Sequence, residues 1–225
     1  MRINVITIFP VYFRDTLAAS ITGRAAEKGL VEFRIVDLRD YAHDRHRTVD
    51  DEPFGGGAGM VMKPDPFFES LDDLSPSGTV ALLSARGRRF DHQTAVRYSV
   101  GEELTLLCGH YKDVDERVAI GLADEEISIG DYVLTGGEPA ALVVIDAVVR
   151  LLPGAMTDHD SAATDSFYEG GLAPPAYTRP AEYRGMTVPE VLRSGDHARI
   201  EDWRRTEADR HTRERRPELL EPDDV

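Results

Sequence analysis

The sequence predicts an α/β protein with a mostly parallel sheet, followed by a small all-helical C-terminal domain. Two patterns carry that prediction. Runs rich in Val, Ile and Leu recur at residues 2–8, 31–38, 79–83, 103–108 and 125–129, most of them separated by segments with helical spacing. Strands that alternate with helices in this way join as βαβ units and favour parallel pairing. After Pro153 the texture changes. Residues 154–175 are a run of Gly, Asp, Ser, Thr and Pro without period, and beyond Tyr177 only helical signals remain.

Taken in order, the first strand (2–8) is ended by Pro10, and residues 11–29 carry helical spacing with a break at Gly23. Residues 31–38 alternate as a second strand. A polar loop (39–59) ends in GGGAG, and 64–74 is a short helix. Buried strand 79–83 follows, then helix 91–100, strand 103–108, helix 113–122 and strand 125–129. Pro139 is expected at a first helical position, where its missing donor costs nothing. Residues 140–151 are apolar on nearly every face except at Asp146 and Arg150, so this helix is expected to be buried. These readings divide the chain into a first domain (1–153), a linker (154–175) and a helical domain (176–225) whose helices span 188–193 and 197–213.

Composition narrows the function classes. The chain has 225 residues, 41% of them hydrophobic, enough for a substantial core. Its single cysteine, Cys108, lies in the apolar run LTLLC and reads as a small buried hydrophobe, and one cysteine excludes a disulfide framework within the chain. No apolar run approaches the ~20 residues that span a bilayer, and MRINVITIFP reads as a strand rather than a signal peptide. The expectation is a soluble, cytoplasmic protein without a membrane partner. A net charge of −15 argues against a nucleic-acid partner, yet residues 179–216 hold ten arginines against eight acids. A locally basic segment on an acidic body can still hold a phosphate backbone.

Three loops follow apolar strands: 84–87 (SARG), 109–113 (GHYKD) and 130–137 (GDYVLTGG). Ligands of open α/β sheets sit outside the carboxyl ends of the strands, so these loops are candidates for one pocket. Glycine lets backbone approach a ligand without a Cβ. The plainer alternative for 130–137 is a strand–turn–helix junction with glycines placed only for the turn. The run FGGGAGM (54–60) lacks the Gly-Lys-Ser/Thr ending of a nucleotide P-loop. Before it, His43 and His46 stand beside Asp44, Asp50 and Asp51. No Cys or further His completes a closed zinc set there, which favours a substrate contact or a structural role.

The stretch SIGDYVLTGGE (128–138) resembles the cofactor loop of bacterial tRNA (guanine-N1)-methyltransferases, enzymes that methylate the guanosine just 3′ of the anticodon, tRNA position 37. The resemblance extends in order through TIFP (7–10), TGRA (22–25), HDRHRTVDDEPFGGGAGM (43–60), CGHY (108–111), DERV (115–118), DSF (165–167), YTRP (177–180), LRSGDHARI (192–200) and RRPELL (215–220). It implies the knotted trefoil fold of the SPOUT methyltransferases, with the knot roughly between 82 and 142. It also implies tRNA as partner and a homodimer whose active site is shared between subunits.

The resemblance further implies an S-adenosylmethionine site at Leu82, Leu83, Gly87, Gly109, Tyr111, Ile129, Gly130, Asp131, Tyr132, Val133, Leu134, Gly136 and Gly137. Asp50 and His197 are implied to contact the substrate. Methylating guanine N1 requires removing its proton, which suits a positioned carboxylate. A cation near O6 stabilises the charge that develops there. Asp165 matches the family's base and Arg150 its O6-stabilising arginine; read alone, they are a solvated loop acid and a cation at a helix C-terminus. The linker around Asp165 is expected to be mobile until tRNA binds, because its composition does not offset the ordering entropy.

Two positions depart from the family pattern. Lys112 stands where many relatives carry a glutamate thought to help position guanine or Mg²⁺, and Ala85-Arg86 replace a proline and a polar neighbour. Mg²⁺ is therefore an open expectation, and no metal ligand is assigned. The rival to the enzyme is a catalytically inactive RNA-binding protein of the same fold, against which the presence of Asp165, Arg150 and the glycine loop weighs.

Overall fold

The computed structural model of the chain describes residues 1–156, 164–168 and 170–220, in two compact units, Met1–Thr157 and Asp158–Val225. Part of the expected linker (157–163 and 169) and the last five positions of the tail lie outside the described residues.

The first unit is built on a five-stranded sheet: β1 (Arg2–Thr7), β2 (Glu32–Asp37), β5 (Thr79–Arg89), β6 (Glu103–Cys108) and β8 (Glu125–Ser128), in the order β2-β1-β6-β5-β8. Every pairing in it is parallel. Two-residue strands β3 (Asp50–Asp51), β4 (Val61–Met62) and β7 (Asp113–Val114) make a second, small sheet. The helices are α1 (Val11–Leu17), α2 (Ser20–Glu27), α3 (Pro64–Leu74), α4 (His92–Ser99), α5 (Glu116–Gly121) and α6 (Glu138–Val149).

Successive strand residues point to opposite faces, and here they feed two apolar layers. Ile3, Val5, Leu83, Leu104, Leu106 and Ile127 join α1, α2, α4 and α6 on one side. Ile6, Val80, Leu82 and Leu107 join Phe67 and Leu71 of α3 and Val118 of α5 on the other. The predicted buried helix is α6, with Ala140, Ala141, Val144, Ile145, Val148 and Val149 all buried in the chain's own core. Its apolarity is thus accounted for within one chain, and Val143, 48% exposed, is its exception. The first unit also runs past Pro153, because Ala155 is buried in the same layer.

Three expectations are corrected. The helical run 11–29 breaks at Ala18-Ala19, not at Gly23, and Ser20 takes φ +54°. Gly23 sits inside α2 because a Cβ there would stand 2.2 Å from the Ala18 carbonyl oxygen. Secondly, 84–87 is not a free loop between elements. It bulges from the continuous strand β5, so that Leu83 and Arg88 both pair with Ile127. Thirdly, the second unit is not all helical. It opens with an antiparallel hairpin, β9 (Glu182–Tyr183) and β10 (Met186–Thr187). Arg184 and Gly185 both have positive φ, the conformation that a two-residue turn of this twist requires.

After the hairpin come α7 (Glu190–Arg193) and α8 (His197–Arg215). Asp196 caps α8 by accepting from the Arg199 N–H. The stretch around Asp165 is folded onto that helix. The Leu172 N–H donates to Thr212 Oγ1 at 3.0 Å, the Ala173 N–H to Ser166 Oγ at 2.9 Å, and Arg216 lies over the Phe167 ring. No described helix is long and apolar enough to cross a membrane.

Candidate active site

The mid-strand bulge of β5 and the glycine-bearing loops at the carboxyl ends of β6 and β8 converge on one cleft of about 220 Å³ in the first unit. Residues 83–86 form one wall, 109–113 a second, and 127–130 with 132–137 the third, together with Ala140 of α6. Backbone holds these walls together. The Gly137 N–H donates to the Gly109 carbonyl at 2.8 Å, and His110 bridges Gly136 in antiparallel fashion. Within the third wall Tyr132 Oη donates back to the Ile129 carbonyl.

Of the residues expected at the cofactor, Leu83, Gly109, Tyr111, Ile129, Gly130, Tyr132, Val133, Leu134, Gly136 and Gly137 line this cleft. Leu82, Gly87 and Asp131 do not. Leu82 is one residue out of phase with Leu83 and enters the opposite apolar layer. Gly87 is needed for packing, since a Cβ there would stand 2.4 Å from the Ile127 nitrogen. Asp131 is exposed.

Gly136 and Gly137 also serve the fold. A Cβ on Gly137 would meet the Cys108 Cα at 2.8 Å, and one on Gly136 would meet both His110 Nδ1 and a Glu138 oxygen at 2.4 Å. Gly130, at φ +153°, occupies backbone space that suits glycine. Tyr111, at φ +60°, holds a conformation uncommon for a large side chain.

The same three segments contribute lining groups beyond the residues expected at the cofactor: Ser84, His110, Asp113 and Thr135. Arg86 at its mouth donates to Glu116 at 2.8 Å and lies 3.6 Å from Glu126, and these acids hold its guanidinium above the usual range. Beneath the cleft, Glu138 is 1% exposed and accepts from Thr7 Oγ1 at 2.7 Å. A charged residue heading a helix that is apolar all round was the available signal for it. Cys108 is fully buried, and burial together with Glu138 pushes its thiol well up, so it is no nucleophile.

Asp50 lies in β3, opposite Met62 of β4, and β4 in turn pairs with β7. The Lys112 N–H donates to the Met60 carbonyl, so the small sheet is fastened to the cleft's second wall. His43 Nε2 is 2.6 Å from Glu69, and among the described residues no group of three or more His, Cys, Asp or Glu is placed to hold a metal ion. Lys112 and Asp113 both line the cleft, and the Lys112 stem runs against Gly59.

Arg150 closes α6 in the first unit, its N–H donating to the Asp146 carbonyl at 3.3 Å. Asp165 and His197 belong to the second unit. Asp165 is half-buried in a turn where its carbonyl accepts from the Tyr168 N–H, and His197 is the exposed first residue of α8.

Fold and cleft together define a parallel α/β protein with a small-ligand site at the carboxyl end of its sheet, walled by backbone and glycine. Residues 1–222 match the family model described as tRNA (Guanine-1)-methyltransferase TrmD. A tRNA (guanine-N(1)-)-methyltransferase of Persephonella marina is 50% identical, over 100% of this chain and 90% of its own length. Enzymes of the same name from Dehalococcoides mccartyi (51%) and Geobacillus kaustophilus (48%) align over 98% of this chain and 91% and 92% of theirs. The chain belongs to the tRNA (guanine-N1)-methyltransferase family.

Proposed function

We propose that this protein methylates N1 of the guanosine immediately 3′ of the anticodon in tRNA, with S-adenosylmethionine as methyl donor. The observation that carries the reading is the convergence of ten of the expected cofactor residues on one cleft, in a chain matched to the family over nearly its whole length. When bound, the cofactor supplies a methyl group on a sulfonium sulfur. The cleft suits such a ligand because it combines backbone N–H and C=O groups with the faces of Tyr111, Tyr132, Val133 and Leu134.

The proton on guanine N1 must leave before its lone pair can attack. Asp165 is assigned that role as general base. Arg150 is assigned the negative charge that moves onto O6, a charge that a fixed cation stabilises. Asp50 and His197 are assigned to substrate contact. The Arg-rich second unit is assigned to the tRNA backbone, held through charge-assisted contacts to phosphate.

The same reading takes the chain as a knotted SPOUT-type protein in the cytoplasm, working as a homodimer with sites shared between subunits. Its support is the family membership, together with the exposed Tyr132, Val133 and Leu134 beside the cleft. Sedimentation at micromolar concentration is expected to give a dimer; a monomer overturns that part alone. The function itself is tested by incubating the protein with methyl-labelled S-adenosylmethionine and unmodified tRNA. Label is expected at N1 of the guanosine 3′ of the anticodon. Bound tRNA without label transfer would favour an inactive RNA-binding protein of the same fold.

A further inference from the structure

Under the cleft lies a buried polar pair that the methyl-transfer chemistry does not use. Glu138 Oε1 accepts from Thr7 Oγ1 at 2.7 Å, and Oε2 stands 3.9 Å from His110 Nδ1. That nitrogen is buried and has no hydrogen-bond partner among the described residues. A separation of 3.9 Å is too long for a hydrogen bond, yet buried polar atoms are nearly always paired. Glycine at 136 is what permits the approach, since a Cβ there would stand 2.4 Å from both atoms.

His110 is joined to the cleft as well as to this pair. Its backbone bridges Gly136, its N–H points to Met62 Sδ at 3.1 Å, and its ring meets the Phe9 and Tyr111 rings edge-on, each at 5.0 Å. Tyr111 in turn lines the cleft and holds its positive φ there. The imidazole therefore sits between a buried carboxyl group and a residue that faces the ligand.

We infer that Glu138 and His110 are positioning residues for the cofactor. Filling the cleft draws the 109–112 loop towards α6, and His110 Nδ1–H then donates to Glu138 Oε2, fixing Tyr111 against the ligand. The step is a hydrogen bond closing over about 1 Å, and the proton stays on Nδ1. The inference rests on the assignment of the cleft to S-adenosylmethionine.

The test uses the full-length protein labelled with [¹⁵N]histidine, with S-adenosylhomocysteine as the probe. A His110 Nδ1–H resonance, assigned through its contacts to the Phe9 and Tyr111 rings, is expected to become protected from exchange only in the complex. Glu138→Gln and His110→Phe, which keep size and ring packing, are each expected to weaken S-adenosylhomocysteine binding by about ten-fold. Because they break one interaction, the double variant should bind no worse than the weaker single one. Absence of the protected resonance in the complex overturns the inference, and so do effects that multiply in the double variant. If the variants fail to fold, the resonance in the unmodified protein decides alone. No binding of S-adenosylhomocysteine by the unmodified protein would instead sink the cofactor assignment of the cleft.

Discussion

The two units of this chain hold their longest helices in opposite ways. Helix α6 has twelve residues and buries all but its exposed stripe against the sheet. Helix α8 has nineteen, and among its residues Thr212 is the buried one. In its place are ion pairs one turn apart: Glu201–Arg204, Asp202–Arg205, Glu207–Arg210 and Arg210–Glu214. Such pairs are individually weak in water and are screened by salt. Apolar burial fixes the geometry of a ligand cleft tightly, because a packed core tolerates little displacement. A solvated helix held by such pairs leaves its side chains free to change partners. A packed apolar helix and a solvated, charge-paired one are therefore divided between the units.

The sharpest way to break that division is at the assigned base. Asp165→Ala is expected to lower single-turnover methylation by ~10²–10⁴-fold, while binding of S-adenosylmethionine, measured by calorimetry, stays near wild type. Arg150→Ala, at the end of α6, should cost on the order of 10²–10³-fold in the same step. Were Asp165→Ala to methylate at the wild-type rate with saturating cofactor, the base would have to be sought elsewhere, with Asp50 next.

Smaller effects sharpen the contrast in stability. Ile145→Ala empties a fully buried site in α6 and is expected to destabilise the first unit by about 2–5 kcal/mol in urea titrations. Glu103 at the start of β6 gives a pH signature. Hydrogen bonds from Asn4 and the Ser77 N–H hold its carboxyl at about 2, below the ordinary 4.5. A carboxylate depressed in this way stabilises the fold above pH 4.5 and loses that contribution as pH falls towards 2. Glu103→Gln should flatten the stability profile in that window and leave its slope at neutral pH unchanged. The smallest effect is expected at α8: Arg210→Ala should barely move the unfolding midpoint followed by circular dichroism, and a clear drop would show that α8 depends on its pairs.

Much of the first unit was legible because its elements are long and periodic. All five sheet strands begin where the Val/Ile/Leu runs put them, within a residue, and α3 falls on its helical spacing, although β5 continues to Arg89, past its expected end at 83. The two-residue strands were not, since two residues carry no period. The hairpin at Arg184-Gly185 lacks the Asn-Gly or Asp-Gly signature that announces such turns. At the cleft, the glycine loops were legible by composition and resemblance. The Glu138–His110–Thr7 cluster was not, because it unites residues as far apart in sequence as Thr7 and Glu138. The phase of β5, which sends Leu83 to the cleft and Leu82 away from it, depended on a register that only strand pairing fixes.

Cys108 has a practical consequence. The chain's one thiol is sealed inside the sheet and disfavours its reactive anion, so the native protein is silent towards maleimides and similar reagents. A cysteine introduced at an exposed position in each unit, Val143 and Tyr183 for instance, would take a pair of probes without background labelling. The separation of the two units, with and without tRNA, then becomes a distance that can be measured directly in solution.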